Sequence, residues 1–437
     1  MSQTLYKKTA SLTDEVFQNP PAEYRGAPFW AWNGDLRKEY LAEQIDVFEK
    51  MGLGGAHLHV RTGLSLPYLG EEHMDRVRFC TDKFKEKHML SYLYDEDRWP
   101  SGAAGGIVTK TVKYRAKGLR LTVTPREEDE FTKLLACYDL TLDADGFIKS
   151  ASRVEKDAPV KEGSRRWYAY RFIDRGPDSW FNGQTYIDTL DNEAMREFIR
   201  VTYEAYEKKV GDEFGKTVPS IFTDEPQFKF KTLAAFSTDT RDLVLPWTET
   251  LPERYKEAYG EDILDYLPEM FWELPDGKVS PHRYRLHDLI TELFACAFGD
   301  QCGKWCDDHG IMLTGHLLLE ETLHQQTSAI GETMRSYRGF GLPGIDILCD
   351  QREYSTAKQC QSAVHQYGRC GMTSELYGVT NWDYDFRGHK SQGDWQAALG
   401  VTTRVHHLAW YSMEGEAKRD YPASIGYQSA WYEKYKY

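Results

Sequence analysis

The 437-residue sequence predicts an α/β protein of the (β/α)8 TIM-type barrel class. Three observations carry the prediction. Short apolar segments alternate with amphipathic helical ones along most of the chain, which is the pattern of a parallel sheet wrapped in helices. Three of the apolar segments stop at a carboxylate: Met89 to Tyr94 runs into Asp95, Pro219 to Thr223 into Asp224 and Glu225, and Gly371 to Ser374 into Glu375. A buried strand does not tolerate unpaired charge, so carboxylates gathered at strand exits mark the active face of a barrel. Closing the sheet also removes its edges.

Each element follows in order. Residues 1–25 are a polar N-terminal arm ending at Pro20 and Pro21. Residues 26–105 and 191–437 supply the barrel. Ala27 to Trp32 is strand one, stopped by Asn33 and Gly34. Asp35 is placed to cap a helix whose stripe is Leu36, Tyr40, Leu41, Ile45, Phe48 and Met51. Gly55 to Val60 is strand two, and a helix over about 71–87 leads to strand three, which ends at Asp95. Residues 106–190 interrupt the alternation. Leu119 to Thr124, Lys133 to Leu140 and Trp167 to Phe172 read as period-two strands with charged turns, a small antiparallel β insertion. Asn192 caps a long helix to about Glu213, and strand four ends at Glu225. A second insertion at 228–282 combines Pro- and Trp-rich loops with short helices. A helix over about 284–308 ends at Gly310, and Ile311 to His316 is strand five. Gly344 to Leu348 is strand six, strand seven ends at Glu375, and Leu408 to Ser412 is strand eight. A doubly wound open sheet is the alternative, but no glycine-rich nucleotide motif follows any strand.

Composition narrows the function classes. Hydrophobic residues make up 41% and charged residues 28%, enough for a large core and too apolar for disorder. A formal charge of −14 disfavours nucleic-acid and anionic-membrane partners. The eight cysteines fit no CxxC pattern and read as free thiols. The N-terminus has no signal-peptide apolar region and no apolar stretch spans a membrane, so the expected location is cytoplasmic. Aromatic residues reach 14%, and some can serve as stacking platforms for sugar rings.

The catalytic candidates are Glu225 and Glu375, at the exits of strands four and seven. Glycoside cleavage needs one carboxylic acid to protonate the leaving oxygen and one carboxylate on the other face. Asp224 stands beside Glu225 and can raise its pKa. Glu320 and Glu321 follow strand five, where either can bind sugar hydroxyls or a cation, or simply start a helix. His57 and His59 alternate on strand two and share one face. With His316, and Asp346 or Asp350, they form the rival reading: a metal-dependent hydrolase of the amidohydrolase kind. Asp95, Glu96 and Trp99 lie in a polar, aromatic loop able to grip a sugar, closed by Gly102, Gly105 and Gly106. Trp32, Asn33, His57, His59, Asp224, His316 and Trp382 complete the expected substrate contacts. A carbohydrate-binding barrel without catalysis is the third reading.

Several of these segments together resemble glycoside hydrolase family 106, which contains inverting α-L-rhamnosidases. They are Pro28 to Gly34, Gly54 to Gly63, Tyr94 to Gly106, Phe222 to Pro226, Gly315-His316 with the glutamates after it, and Pro343 to Asp346. The stretches around Ser374-Glu375 and from Gly393 to Gln396 agree more loosely. The matches run through most of the barrel in order, and the Tyr94 to Gly106 segment is the most specific. The resemblance implies a barrel that hydrolyses a glycoside or oligosaccharide with inversion. Glu225 falls at the acid position and Glu375 matches the base. Members of that family can hold calcium near the sugar, so calcium is the one cofactor implied, and no metal ligands are assigned. Members are usually longer, with β-sandwich domains after the barrel, so the expectation is a fragment, or a relative of different or lost activity.

Overall fold

A computed structural model describes residues 12–231, 240–415 and 425–436. Residues 1–11 of the expected arm lie outside this range. The rest of the arm holds a short helix, Asp14–Gln18, and a 3-10 turn, Ala22–Tyr24.

Fourteen strands are described. The first three are β1 (Phe29–Trp32), β2 (Gly55–Val60) and β3 (Leu90–Tyr94). Next come β4 (Lys117–Thr122), β5 (Thr132–Leu142), β6 (Ile148–Val154) and β7 (Arg165–Ile173). They are followed by β8 (Ser220–Asp224), β9 (Leu243–Trp247), β10 (Met312–His316) and β11 (Leu342–Ile347). The last are β12 (Met372–Leu376), β13 (Val401–His406) and β14 (Ala409–Trp410). Nine of them form one parallel sheet in the order β13-β12-β11-β10-β8-β3-β2-β1-β14. The sheet comes round almost to closure. β14 pairs with β1, and the Ala27 N–H just before β1 donates to Arg404 O on β13 at 2.9 Å.

The eighth station differs from the expected Leu408–Ser412 strand. It is β13 followed by the two-residue β14. Thr402 and Arg404 of β13 are exposed and alternate with buried neighbours, so β13 lacks the continuous apolar run of a strand covered on both faces.

The insertions also differ from the sequence reading. The second sheet is antiparallel in the order β6-β5-β7-β4-β9, so β9, which lies within 228–282, completes the sheet begun in 106–190. Pro246 disguises β9 as a loop. An edge strand accepts proline because one row of its N–H groups is unpaired in any case.

Two helix caps fall elsewhere than expected. The helix Lys38–Lys50 begins after Arg37, and Asp35 instead accepts the Tyr411 hydroxyl at 2.6 Å. Asp191, not Asn192, caps the helix Asn192–Val201, accepting from Glu193 N at 2.8 Å. That helix breaks before Tyr203–Val210, where Thr202 Oγ1 donates back to Phe198 O at 2.7 Å, a bond that bends helices.

The larger core lies between the parallel sheet and its helices. Trp30 belongs to it, donating its indole N–H to Gln44 Oε1 at 2.6 Å. A smaller core fills the barrel interior: Phe29, Ala31, Tyr94, Phe222, Val405, Leu408 and Trp410. All eight cysteines are unpaired. Among the described residues, no helix is long and apolar enough to cross a membrane.

Candidate active site

Strand parity decides which side chains meet at the mouth. Ala31 is interior, so its neighbour Trp32 points the other way. Trp32 packs edge-on against Trp30 and His73 in the outer core. This corrects its expected contact with substrate. Residues paired across a parallel sheet share a face. Ala31 pairs with both His59 and Trp410, Asp224 with His316, and Asp346 with Glu375. This register gathers the charged layer at the C-terminal ends of the strands, above the aromatic filling.

His57 lies one layer deeper. It stacks on Tyr92 at 4.6 Å, and its Nδ1 lies 3.1 Å from Ala27 O. Burial lowers its pKa to about 3, so it is neutral and packed away from the mouth. His59 sits higher, against the Tyr94 ring at 3.9 Å, with Nε2 3.9 Å from Asp224 Oδ2.

Asp224 and His316 form the centre. His316 Nε2 is 3.0 Å from Asp224 Oδ1, and Tyr94 donates its hydroxyl to Asp224 Oδ2 at 2.7 Å. Burial alone would raise Asp224 and lower His316. Their close contact and opposite charges, helped by the acids around His316, reverse both, leaving Asp224 well below and His316 well above its ordinary range. The same Nε2 is 3.7 Å from Glu375 Oε2 and 3.9 Å from Asp346 Oδ2. His407 Nε2 lies 3.9 Å from the other Glu375 oxygen.

Glu225 reaches this centre through its backbone. In a continued strand it would face away from Asp224. Its φ of 47° is left-handed, which breaks the alternation and turns the side chain. A carboxylate oxygen of Glu225, a His316 nitrogen and an Asp346 oxygen lie within 4.8 Å of one another. Burial, then the charges of Asp224 and Asp346, push Glu225 up to about 8. Burial raises Asp346 to about 7 and, with the charges of Asp346 and Asp224, holds Glu375 well above the carboxylate range. Leu319, Cys349, Asp350, Tyr377, Val379 and Asn381 are also left-handed, and all follow strand exits on this face. Such backbone strain concentrates where a structure is built for function.

The other expected contacts divide. Asp95 is buried, with Ser101 donating to one oxygen at 2.5 Å and Tyr203 to the other at 2.9 Å. Glu96 accepts backbone N–H bonds from Asp97, Gly102, Ala104 and Gly105 at 2.5–2.9 Å, so it folds the loop. Asn33 clamps Ser412 through paired bonds of 2.8 and 2.9 Å, tying β1 to the end of β14. Glu320 accepts from Tyr337 and Leu317 and holds the Asp346 N–H at 3.4 Å. Each of these four is bonded to the framework around it. Trp99 is half-buried against Trp180, and Trp382 is exposed. Glu321 and Asp350 are exposed.

Two groups among the described residues bring metal-binding atoms together: Asp224, His316 and Glu375, and Glu225, His316 and Asp346. Neither contains His57 or His59, so the three-histidine centre of the rival reading is not assembled. Each group mixes two carboxylates with a single imidazole. Calcium takes roughly six to eight oxygens, and these groups do not fit that shell.

His407 escaped the sequence reading because β13, which leads to it, was not read as a strand. The adjacent His406 and His407 at the close of an alternating segment were the available signal.

No protein-family model and no curated protein sequence matches the chain. Among solved structures, a rhamnosidase from Novosphingobium sp. PP1Y superposes with a TM-score of 0.66 and 12% identity, over 97% of this chain and 59% of that one. A chitobiase from Flavobacterium johnsoniae gives 0.37 and 10%, over 89% and 45%, too distant to weigh. The chain thus spans about three fifths of the rhamnosidase's length, and the likeness is one of fold.

Proposed function

We propose that this protein is a glycoside hydrolase of the α-L-rhamnosidase type, inverting, with Glu225 as general acid and Glu375 as general base. One observation carries the reading. Glu225 is held protonated at neutral pH on the mouth of a barrel, while two further carboxyls, Asp346 and Glu375, stand on strands further round and share one imidazolium with it. Glycoside cleavage needs one carboxyl that keeps its proton and a second within reach of the opposite face, and Glu225, raised beside the charged Asp224, fits the first while Glu375 is placed for the second.

Glu225 gives its proton to the glycosidic oxygen as the bond to the anomeric carbon breaks. Glu375, whose proton burial and the neighbouring acids hold, first releases it to solvent and then takes one from the water attacking the opposite face. His316, kept charged by Asp224, stabilises Glu375 while it is ionised. Each turnover leaves Glu225 ionised and Glu375 protonated, and exchange with solvent restores both. The cluster titrates as a unit, so ionising Glu375 strengthens the hold of Glu225 on its own proton. The motif match to family 106 and the barrel shared with the Novosphingobium rhamnosidase support α-L-rhamnosides as the first substrates to try.

Hydrolysis of aryl α-L-rhamnosides tests the assignment. Glu225→Gln and Glu375→Gln are each expected to lose roughly 10²-fold or more in kcat. Full activity in both variants would overturn it.

A further inference from the structure

We infer that Ser101, backed by Asp95, is a positioning residue that aims the Glu225 carboxyl. The inference rests on the reading of Glu225 as general acid. Among the described residues no side chain hydrogen-bonds that carboxyl, so its direction is set by the backbone that carries it.

That backbone is pinned from both sides by one residue. Ser101 N–H donates to Asp224 O at 2.7 Å, and the Asp224 N–H donates to Ser101 Oγ at 2.8 Å. The peptide joining Asp224 to Glu225 therefore ends in a carbonyl held by Ser101. The next rotation along the chain is the left-handed φ of Glu225. A few degrees of tilt in that peptide would swing the carboxyl away from His316 and Asp346.

Ser101 is itself oriented. Its hydroxyl can donate only one proton, and Asp95 Oδ1 accepts it at 2.5 Å, which leaves a lone pair for the Asp224 N–H. Asp95 is locked from behind by the Tyr203 hydroxyl at 2.9 Å. Tyr186 donates to Ser101 O at 2.5 Å and holds the other side of the residue. Asp95, Ser101 and Tyr186 are all buried to 0% exposure, so water cannot replace a lost bond. The line from Tyr203 through Asp95 and Ser101 to Asp224 thus ends one peptide short of the acid. It gives the carboxylate at the exit of β3 a role in the reaction without contact with the sugar.

A mispositioned acid has a distinct kinetic signature. A substrate with a good leaving group, such as 2,4-dinitrophenyl α-L-rhamnoside, needs little protonation, whereas the phenyl glycoside depends on it. Ser101→Ala is expected to lose about 100-fold in kcat/KM on the phenyl glycoside, the scale of a misplacement near 1 Å, and less than about 3-fold on the dinitrophenyl one. Asp95→Asn keeps an acceptor for the Ser101 hydroxyl and serves if Ser101→Ala does not fold. It is expected to show the same selectivity with a loss of roughly 10-fold. Glu225→Gln is the reference and is expected to be more selective than either. If Glu225→Gln is selective while Ser101→Ala or a folded Asp95→Asn slows both substrates equally, or neither, this inference is overturned alone. If Glu225→Gln is itself unselective, the acid reading falls and this inference with it.

Discussion

Four carboxyl groups around one imidazole cannot all be ionised together, and the ways Asp224, Glu225, Asp346 and Glu375 divide the protons define the chemistry available. Asp224 keeps its charge because it holds His316. Glu225 keeps its proton because burial and the Asp224 charge oppose ionisation up to about 8. A general acid works only while protonated, so kcat/KM is expected to fall as pH rises through about 8. Glu225→Gln should remove that alkaline limb along with most of the activity, and a limb unchanged in the variant would assign it to another group. His316→Ala would strand the Asp224 charge in the interior, a loss expected to cost about 3–5 kcal/mol in chemical denaturation. At this level the sequence was informative about Glu225 and Glu375, since a carboxylate closing an apolar run needs a site or a partner. It could not separate Trp32 from Ala31, because alternation fixes relative faces and leaves open which face is the interior.

Between strands, the approach of β8 and β10 sets the Asp224–His316 distance, and Gly315 makes it possible. Its φ is 118°, and a Cβ there would lie 1.8 Å from Thr223 O. Gly315→Ala is therefore expected to cost about 3 kcal/mol or more, seen as a lowered denaturation midpoint or loss of soluble protein. Wild-type stability in that variant would show that the two strands can part without harm. Seven strands of the nearly closed parallel sheet were readable as apolar runs buried on both faces. β13 escaped because it is covered on one face only, and β9 because Pro246 is allowed only at an edge. The loop carboxylates Asp95 and Glu96 looked like sugar contacts because their partners, Tyr203 and the backbone N–H groups of 102–105, are supplied by folding and leave no mark in local pattern.

Taken as one molecule, the protein carries an unusual load of protonated acid in its interior. Glu225 is raised to about 8, and Asp346, Glu320 and Asp95 to about 7, each chiefly by burial. The unfolded chain would release these protons near pH 4. The buried His57, His73, His287, His389 and His406 are held neutral and act oppositely below about 6.5, so it is from about 6.5 to about 8 that the folded state binds more protons. Stability then falls as pH rises. His316 acts in the same direction: its raised pKa contributes stability that is full below about 6.5 and lost as pH climbs through the folded value. Asp224 acts oppositely, contributing stability that is lost only as pH drops through its depressed value. Thermal melts are expected to show Tm falling between about pH 6.5 and 8, with a shallower slope in Asp346→Asn. A Tm that rises over this interval would contradict the proton inventory. The nearly closed parallel sheet brings Glu225, Asp346 and Glu375 together, and in the proposed function a glycoside is cut there by a protonated Glu225 and an opposing base. The anomer first released from p-nitrophenyl α-L-rhamnoside, followed by proton NMR before mutarotation, tests that arrangement most directly. β-L-Rhamnose appearing first is the expected result, and α-L-rhamnose first, or no turnover of any aryl glycoside, would contradict it.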